Sequence, residues 1–318
     1  KNMPVIYSAD GKSLLYFTRN DEGQFTYHRA DGDGKNSKKL YQTTVDWDDI
    51  LNAITDPGAL ASSDGRVAVA TTLNGGSARR NDDPLRAGIV GKDGKMTKVK
   101  SDFAQVMGFG FVKDQLIYID SQDFRSGKLG YALNSWNGKE SKVVFKKDDA
   151  MGAILRMSPD QKHAGFFEGK PPERKFRIRI VDLNAGTSMQ TELFRTDDIT
   201  FDGAPSFCWD ARGQGVFYHK ATGDQGKTPF SMMYFDLKTK KATAVKAPVN
   251  VATIGALDDK HVLVWEGRAA RDSILRLSDG KIFVMDDQNT ILGGNGKHIA
   301  YVKEGEEKVN IASIELNE

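Results

Sequence analysis

A short phrase returns seven times along these 318 residues, each time as an apolar strand, a polar turn and a second apolar strand. Its clearest copies run from Val5 to Phe17, around Ser8-Ala9-Asp10-Gly11-Lys12, and from Leu155 to Phe167, around Ser158-Pro159-Asp160-Gln161-Lys162. Weaker copies turn at Ser63-Asp64-Gly65-Arg66, Lys113-Asp114-Gln115, Asp210-Ala211-Arg212-Gly213, Asp258-Asp259-Lys260 and Asn295-Gly296-Lys297. The turns fall roughly 37 to 54 residues apart, the period of a four-stranded propeller blade. A chain built this way cannot bury one repeat alone, so stacking of successive units must supply the core.

A second hairpin shares the period. Its form is an apolar strand, then Asp or Asn, then Gly or Lys, then apolar residues again. It reads Ile178-Arg179-Ile180-Val181-Asp182-Leu183-Asn184-Ala185-Gly186, Met233-Tyr234-Phe235-Asp236-Leu237-Lys238, and Ile274 to Val284 through Ser278-Asp279-Gly280-Lys281. β-Branched and aromatic residues bounded by Asp, Asn, Gly and Lys turns give four strands per unit, a to d. The expected fold is therefore all-β, a seven-bladed β-propeller of four-stranded antiparallel blades in a single domain over residues 1–318. The expected blades are 1–44, 45–103, 104–149, 150–198, 199–250, 251–287 and 288–318. The only helical pattern is one or two turns near Trp47 to Ile54, inside an insertion. The last blade is short, because the chain ends soon after a strand at Val309 to Leu316. Propellers usually close on a strand from the other terminus. Lys1 to Pro4 are too few for that, so the expectation is a piece of a larger protein.

The Ser-Ala-Asp-Gly-Lys turn before Leu14-Leu15-Tyr16-Phe17, and the Ser-Pro-Asp-Gln-Lys turn before Ala164-Gly165-Phe166, resemble the TolB-like, WD-repeat-related propeller repeat. The resemblance covers the whole chain at the level of the period. It implies a periplasmic or surface interaction platform in bacteria. It also implies kinship with propellers attached to peptidases, peptidoglycan-binding modules or secretion machinery, and with a minority that act on polysaccharides. The motif itself specifies a turn and a strand and carries no chemistry. Trp209-Asp210 lies in an a–b turn and is not the WD signature.

Composition narrows the function. The 45 basic and 43 acidic residues leave a net charge of +2, without the basic excess that nucleic acid demands. Apolar runs such as Val106 to Val112 are too short to insert into a membrane. Cys208 stands alone, which excludes an internal disulfide and a thiolate-rich metal site. No Gly-x-Ser-x-Gly elbow, His-Glu-x-x-His helix or Cys-x-x-Cys pair occurs. Gly293 to His298 mimics a phosphate loop, but Ile291 replaces its first Gly and His298 its hydroxyl, so a hairpin turn is expected. Asp31-Gly32-Asp33-Gly34-Lys35 mimics a Ca²⁺ loop without the bidentate carboxylate and reads as a c–d turn. His163, His261 and His298 share a register in three blades, which spreads them apart, so they read as solvated turn residues. No metal and no cofactor is expected.

Charge on the loops is the remaining signal. Asp48-Asp49, Asp148-Asp149, Asp197-Asp198 and Asp286-Asp287 fall where strand d passes to the next strand a, and form the expected acidic rim. The b–c loops, opening on the same face, carry Arg79, Arg80, Arg86, Arg125, Arg174, Arg268 and Arg271. Arginine's planar fork suits carboxylates and is enriched at interface hot spots. Trp47 is the expected anchor, while Trp136 and Trp265 pack between blades. The leading expectation is a non-catalytic platform for a protein or peptide partner, in a larger bacterial periplasmic, cell-surface or secreted assembly. The alternatives are an enzyme or binding module for an acidic glycan, and an accessory propeller of a larger hydrolase.

Overall fold

The computed structural model describes residues 6–7, 13–19, 25–43, 62, 66–72, 85–91, 93, 95–99, 105–122, 128–170, 175–195, 200–201, 204–205, 207–221, 230–266, 271–284, 289–295, 298–303 and 310–313. Their regular structure is all β-strand, joined by turns. The first unit holds Ile6–Tyr7 (β1), Ser13–Arg19 (β2), Phe25–Asp31 (β3) and Lys38–Thr43 (β4). The second holds Val67–Thr72 (β5), Leu85–Val90 (β6) and Met96–Lys98 (β7). The third is Gln105–Val112 (β8), Gln115–Ser121 (β9), Tyr131–Trp136 (β10) and Ser141–Lys147 (β11). The fourth is Met151–Met157 (β12), His163–Lys170 (β13), Lys175–Asp182 (β14) and Ser188–Gln190 (β15). After Phe194–Arg195 (β16) and the two-stranded ribbon of Thr200–Phe201 (β17) and Ala204–Pro205 (β18) comes the fifth sheet. It contains Phe207–Trp209 (β19), Gly215–Ala221 (β20), Phe230–Asp236 (β21) and Lys241–Ala244 (β22). The sixth is Val251–Ala256 (β23), His261–Glu266 (β24), Arg271–Arg276 (β25) and Ile282–Val284 (β26). Asn289–Asn295 (β27), His298–Lys303 (β28) and Asn310–Ser313 (β29) end the described chain.

Each sheet follows a meander of sequence neighbours, as the two hairpin repeats require, and the fourth gains β16 as a fifth strand beside β14. The fold is thus an all-β propeller of four-stranded antiparallel blades. The expected blade count needs correction: six blades are recovered, not seven. The segment 288–318 yields the three-stranded sheet β27–β29 and no fourth strand among the described residues. That sheet still follows the repeat in detail. Its first strand carries a register shift at Ile291/Gly293, as the first strands of the third, fourth and sixth sheets do at Val106/Gly108, Ala153/Arg156 and Thr253/Gly255.

The chain divides into two compact units, one of residues 1–7 and 191–318 and one of residues 8–190. Within the second, Ile117, Ile119, Tyr131 and Leu133 of the third sheet pack on Leu155, Met157, Ala164, Phe166 and Val181 of the fourth. Within the first, Cys208, Phe217 and Met232 pack on Val251, Val262, Val264 and Leu275. Central strands are buried on both faces, so β9 lacks the alternation of a one-sided strand, whereas the outer strand β11 is largely exposed. Gly152 marks how closely the sheets approach: a Cβ there would lie 3.0 Å from the Tyr131 ring and 3.3 Å from Ile119.

Candidate functional site

The two ends of each sheet are built differently. At the a–b end the polar side chains close their own turns. Ser158 Oγ accepts from the backbone N–H of His163 at 2.9 Å and donates to Asp160 Oδ1 at 2.6 Å. Asp210 Oδ1 accepts from Arg212 and Gln214 N–H at 3.0 and 2.9 Å, and its Oδ2 from the Tyr234 hydroxyl at 2.6 Å. Asp258 Oδ1 accepts from Lys260 and His261 N–H, both at 2.7 Å. The c–d turns lie at the same end and repeat the device through Asp182, Asp236, Asp279 and Asn137. The two turns of one sheet are tied together by a recurring bond, Leu183 N–H to Lys162 O, Leu237 N–H to Gln214 O and Leu277 N–H to Lys260 O. These are the Asx-type bonds that local carboxylates make with backbone two or three residues on. They occupy this end in holding the fold.

At the opposite end, where strand b passes to strand c, charged side chains meet across strands. Glu168, 1% exposed, faces Arg177 across the β13–β14 ladder. Arg179 grips it with both prongs, Nε to Oε2 at 2.9 Å and Nη2 to Oε1 at 2.7 Å. The Tyr131 hydroxyl donates to Oε2 at 2.6 Å, and Lys147 Nζ to Oε1 at 3.2 Å. Arg177 Nε completes the group at 3.5 Å. Burial alone would raise the Glu168 pKa. The bonds from Arg179 and Tyr131, the Arg179 charge and the Lys147 bond outweigh it and hold the carboxyl at about 2. Burial and the bond to Glu168 push the Tyr131 hydroxyl far up, so it stays a donor. Phe145 lies under the Arg179 guanidinium at 5.5 Å. A smaller version occurs in the sixth sheet, where Arg271 Nε and Ser273 Oγ donate to Glu266 Oε1 at 3.0 and 2.5 Å. A groove of about 660 Å³ runs along the third sheet past Tyr118, Asp120, Asn134 and Val143 to Lys146 and Asp148.

Several expected site residues can be placed. Asp148 and Asp149 are exposed in the d–a connection after β11, and pair with Lys146 at 3.0 Å and Lys147 at 3.5 Å. Arg271 opens β25 on the ladder opposite Glu266 and is not a loop residue. Arg86 is corrected likewise: it is the second residue of β6 and 7% exposed, because the strand begins earlier than the polar insertion suggests. Trp47, Arg79, Arg80, Arg125, Arg174, Arg268, Asp48, Asp49, Asp197, Asp198, Asp286 and Asp287 lie outside the described residues, as does the helical turn near Trp47. His261, expected to be solvated, is 3% exposed and lies against Asp258. Gly34 N–H bonds Asp31 O in the expected c–d turn, and Asn295 pairs with His298 in the expected hairpin. Trp136 is buried in β10. Among the described residues no helix is long and apolar enough to cross a membrane, and no three His, Cys, Asp or Glu residues gather as a metal site.

The Glu168 centre was missed because its members were read one loop at a time. A signal existed: the sixth residue of strand b is polar in every sheet, namely Thr18, Thr72, Asp120, Glu168, Lys220, Glu266 and Lys303.

No family model matches the chain, and no curated protein is similar to it in sequence. Solved structures are similar in fold. The Kuenenia stuttgartiensis hydrazine synthase aligns over 100% of this chain and 97% of its own, with a TM-score of 0.59 and 11% identity. The β-propeller domain of the Trilobed protease from Pyrococcus furiosus aligns over 81% and 79%, with a TM-score of 0.52 and 12% identity. These likenesses show a β-propeller fold. A puromycin-hydrolysing peptidase from Mycobacterium tuberculosis aligns over 95% of this chain, with a TM-score of 0.55 and 13% identity. This propeller spans about half, 50%, of that peptidase's length.

Proposed function

We propose that the chain is a non-catalytic interaction module that engages a protein or peptide partner through the b–c end of its fourth sheet. The supporting observation is the division of labour between the two ends. At the turn end of the fourth sheet Ser158 and Asp160 are spent on their own backbone, while at its b–c end cations outnumber the buried carboxylate they surround. Pre-organised charge on a rigid sheet lowers the ordering cost of binding. The groove along the third sheet, mixed in polarity and ending at Lys146 and Asp148, extends the same surface. We further read β27–β29 as a seventh, incomplete blade, on the strength of its shared register shift. A bacterial periplasmic or cell-surface setting, within a larger assembly, is what the TolB-like repeat favours.

Capture of partners from the native organism's envelope fraction tests the reading. Lys147→Glu with Arg177→Glu is expected to abolish capture, and Lys162→Glu at the turn end of the same sheet to leave it intact. Equal loss in both variants, or no partner at all, would overturn it. The coverage of half the peptidase favours a second reading, an accessory propeller of a larger hydrolase. That reading requires a hydrolase domain in the same gene, which sequencing of the full locus decides.

A further inference from the structure

We infer that Arg177 and Lys147 form a carboxylate-binding site that takes a single acidic side chain of a protein partner. The inference rests on the interaction-module reading and gives it a chemistry. Glu168 lies beneath both residues at 1% exposure, and its oxygens are already committed to Arg179 and Tyr131. Arg177 reaches it at 3.5 Å through Nε alone, and that nitrogen makes no hydrogen bond among the described residues. Lys147 makes a long contact of 3.2 Å and is 31% exposed, and Arg177 is 23% exposed. Three cations therefore converge on one buried carboxylate. Arg179 neutralises it, Asp149 at 3.5 Å offsets part of the Lys147 charge, and Arg177 carries the positive charge left at the rim.

A guanidinium partly stripped of water, with an Nε that has no hydrogen-bond acceptor, is unfavourable until an acceptor reaches the group. A carboxylate fits the fork, and Lys147 adds a second charge-assisted bond. The surroundings decide which carboxylate. Asp149 sits 3.5 Å from Lys147 Nζ, and Asp148 3.0 Å from Lys146 Nζ, both mostly exposed. They oppose any ligand carrying negative charge at every step, such as a uronate chain. An acidic residue flanked by neutral or basic ones meets no such opposition. The adjoining groove, with Tyr118 and Val143 along it, offers a track for the flanking peptide.

The Arg177 Nε–Hε NMR resonance, assigned by its loss in Arg177→Lys, reports directly on the site. Three probes are titrated: acetyl-Gly-Glu-Gly-amide, acetyl-Gly-Gln-Gly-amide and trigalacturonate. The glutamate peptide is expected to shift the resonance saturably at millimolar concentration. The glutamine peptide should bind about tenfold more weakly, as loss of a charge-assisted pair requires. Lys147→Gln should weaken the glutamate peptide by a similar factor while the chain stays folded. No shift with any probe, equal shifts for Glu and Gln, or tighter binding of trigalacturonate would each overturn the site. A peptide shift without partner capture would sink the module reading alone, and capture without a peptide shift would sink this site alone.

Discussion

Replacing Glu168 with Gln removes the anion that Arg179, Arg177 and Lys147 share, while keeping the side chain's size. Arg179 then stays at 10% exposure against a neutral amide. Two routes give the cost. Stripping a buried ion pair of one partner costs about 3–5 kcal/mol. Independently, a carboxyl held at about 2 against an ordinary 4.5 contributes about 3 kcal/mol at neutral pH. Its folded pKa lies below the unfolded one, so added acid protonates the unfolded chain first. The contribution is complete above pH 4.5 and is lost progressively as pH falls toward about 2. Urea unfolding of wild type and Glu168→Gln, followed by the fluorescence of the four tryptophans, measures this directly. The gap between them should be about 3 kcal/mol at neutral pH and should narrow steadily below about pH 4.5. A neutral-pH gap under about 1 kcal/mol would place the cluster among solvent-screened pairs. A gap that does not change with pH would mean that shape, not charge, sets the cost.

Other consequences are simpler to measure. Asp210→Ala removes two backbone bonds and the Tyr234 bond, and should lower stability by about 2 kcal/mol in a thermal melt. Arg212→Ala, which breaks an exposed, solvent-screened pair with Asp259, should leave the melting temperature unchanged. Gly152→Ala pushes a methyl to 3.0 Å from Tyr131 and should cost about 1–3 kcal/mol, visible as a lower melting temperature. Burial pushes the His219 pKa down to about 4 from 6.5, so the unfolded chain takes up that proton first. Stability should fall as pH drops between these values, and His219→Gln should flatten that limb of a pH-stability profile.

The architecture was legible because a turn motif and its period are local. Asp210, Asp258 and Ser158 lie within a few residues of every backbone group they bond, so their meaning is present in the short phrase that contains them. The blade count was less legible, since a three-stranded remnant and a full blade share the same turns. The Glu168 centre draws on β10, β11, β13 and β14, whose members are separated by up to 37 residues in the bond to Tyr131. No local window shows such a set. Arg86 was misplaced for the opposite reason: the polar insertion before it looked continuous, and only strand pairing with Thr71 reveals where the strand starts.

The repeat supplies its own control on this reasoning. Glu266 occupies the same place in β24 that Glu168 occupies in β13, the sixth residue of strand b, and each faces an arginine on strand c. Their surroundings differ: Glu266 is 17% exposed and bonds Arg271, which is 29% exposed, and Ser273. Water shares in solvating that pair, so its loss leaves no charge stranded in the interior. Glu266→Gln should therefore cost about 1 kcal/mol, against about 3 kcal/mol or more for Glu168→Gln. Both substitutions make the same chemical change at the same register of the same fold. A measured difference isolates burial and the number of cations as the cause. Equal costs would show that the register itself carries the energy, and that the crowding of cations around Glu168 contributes nothing.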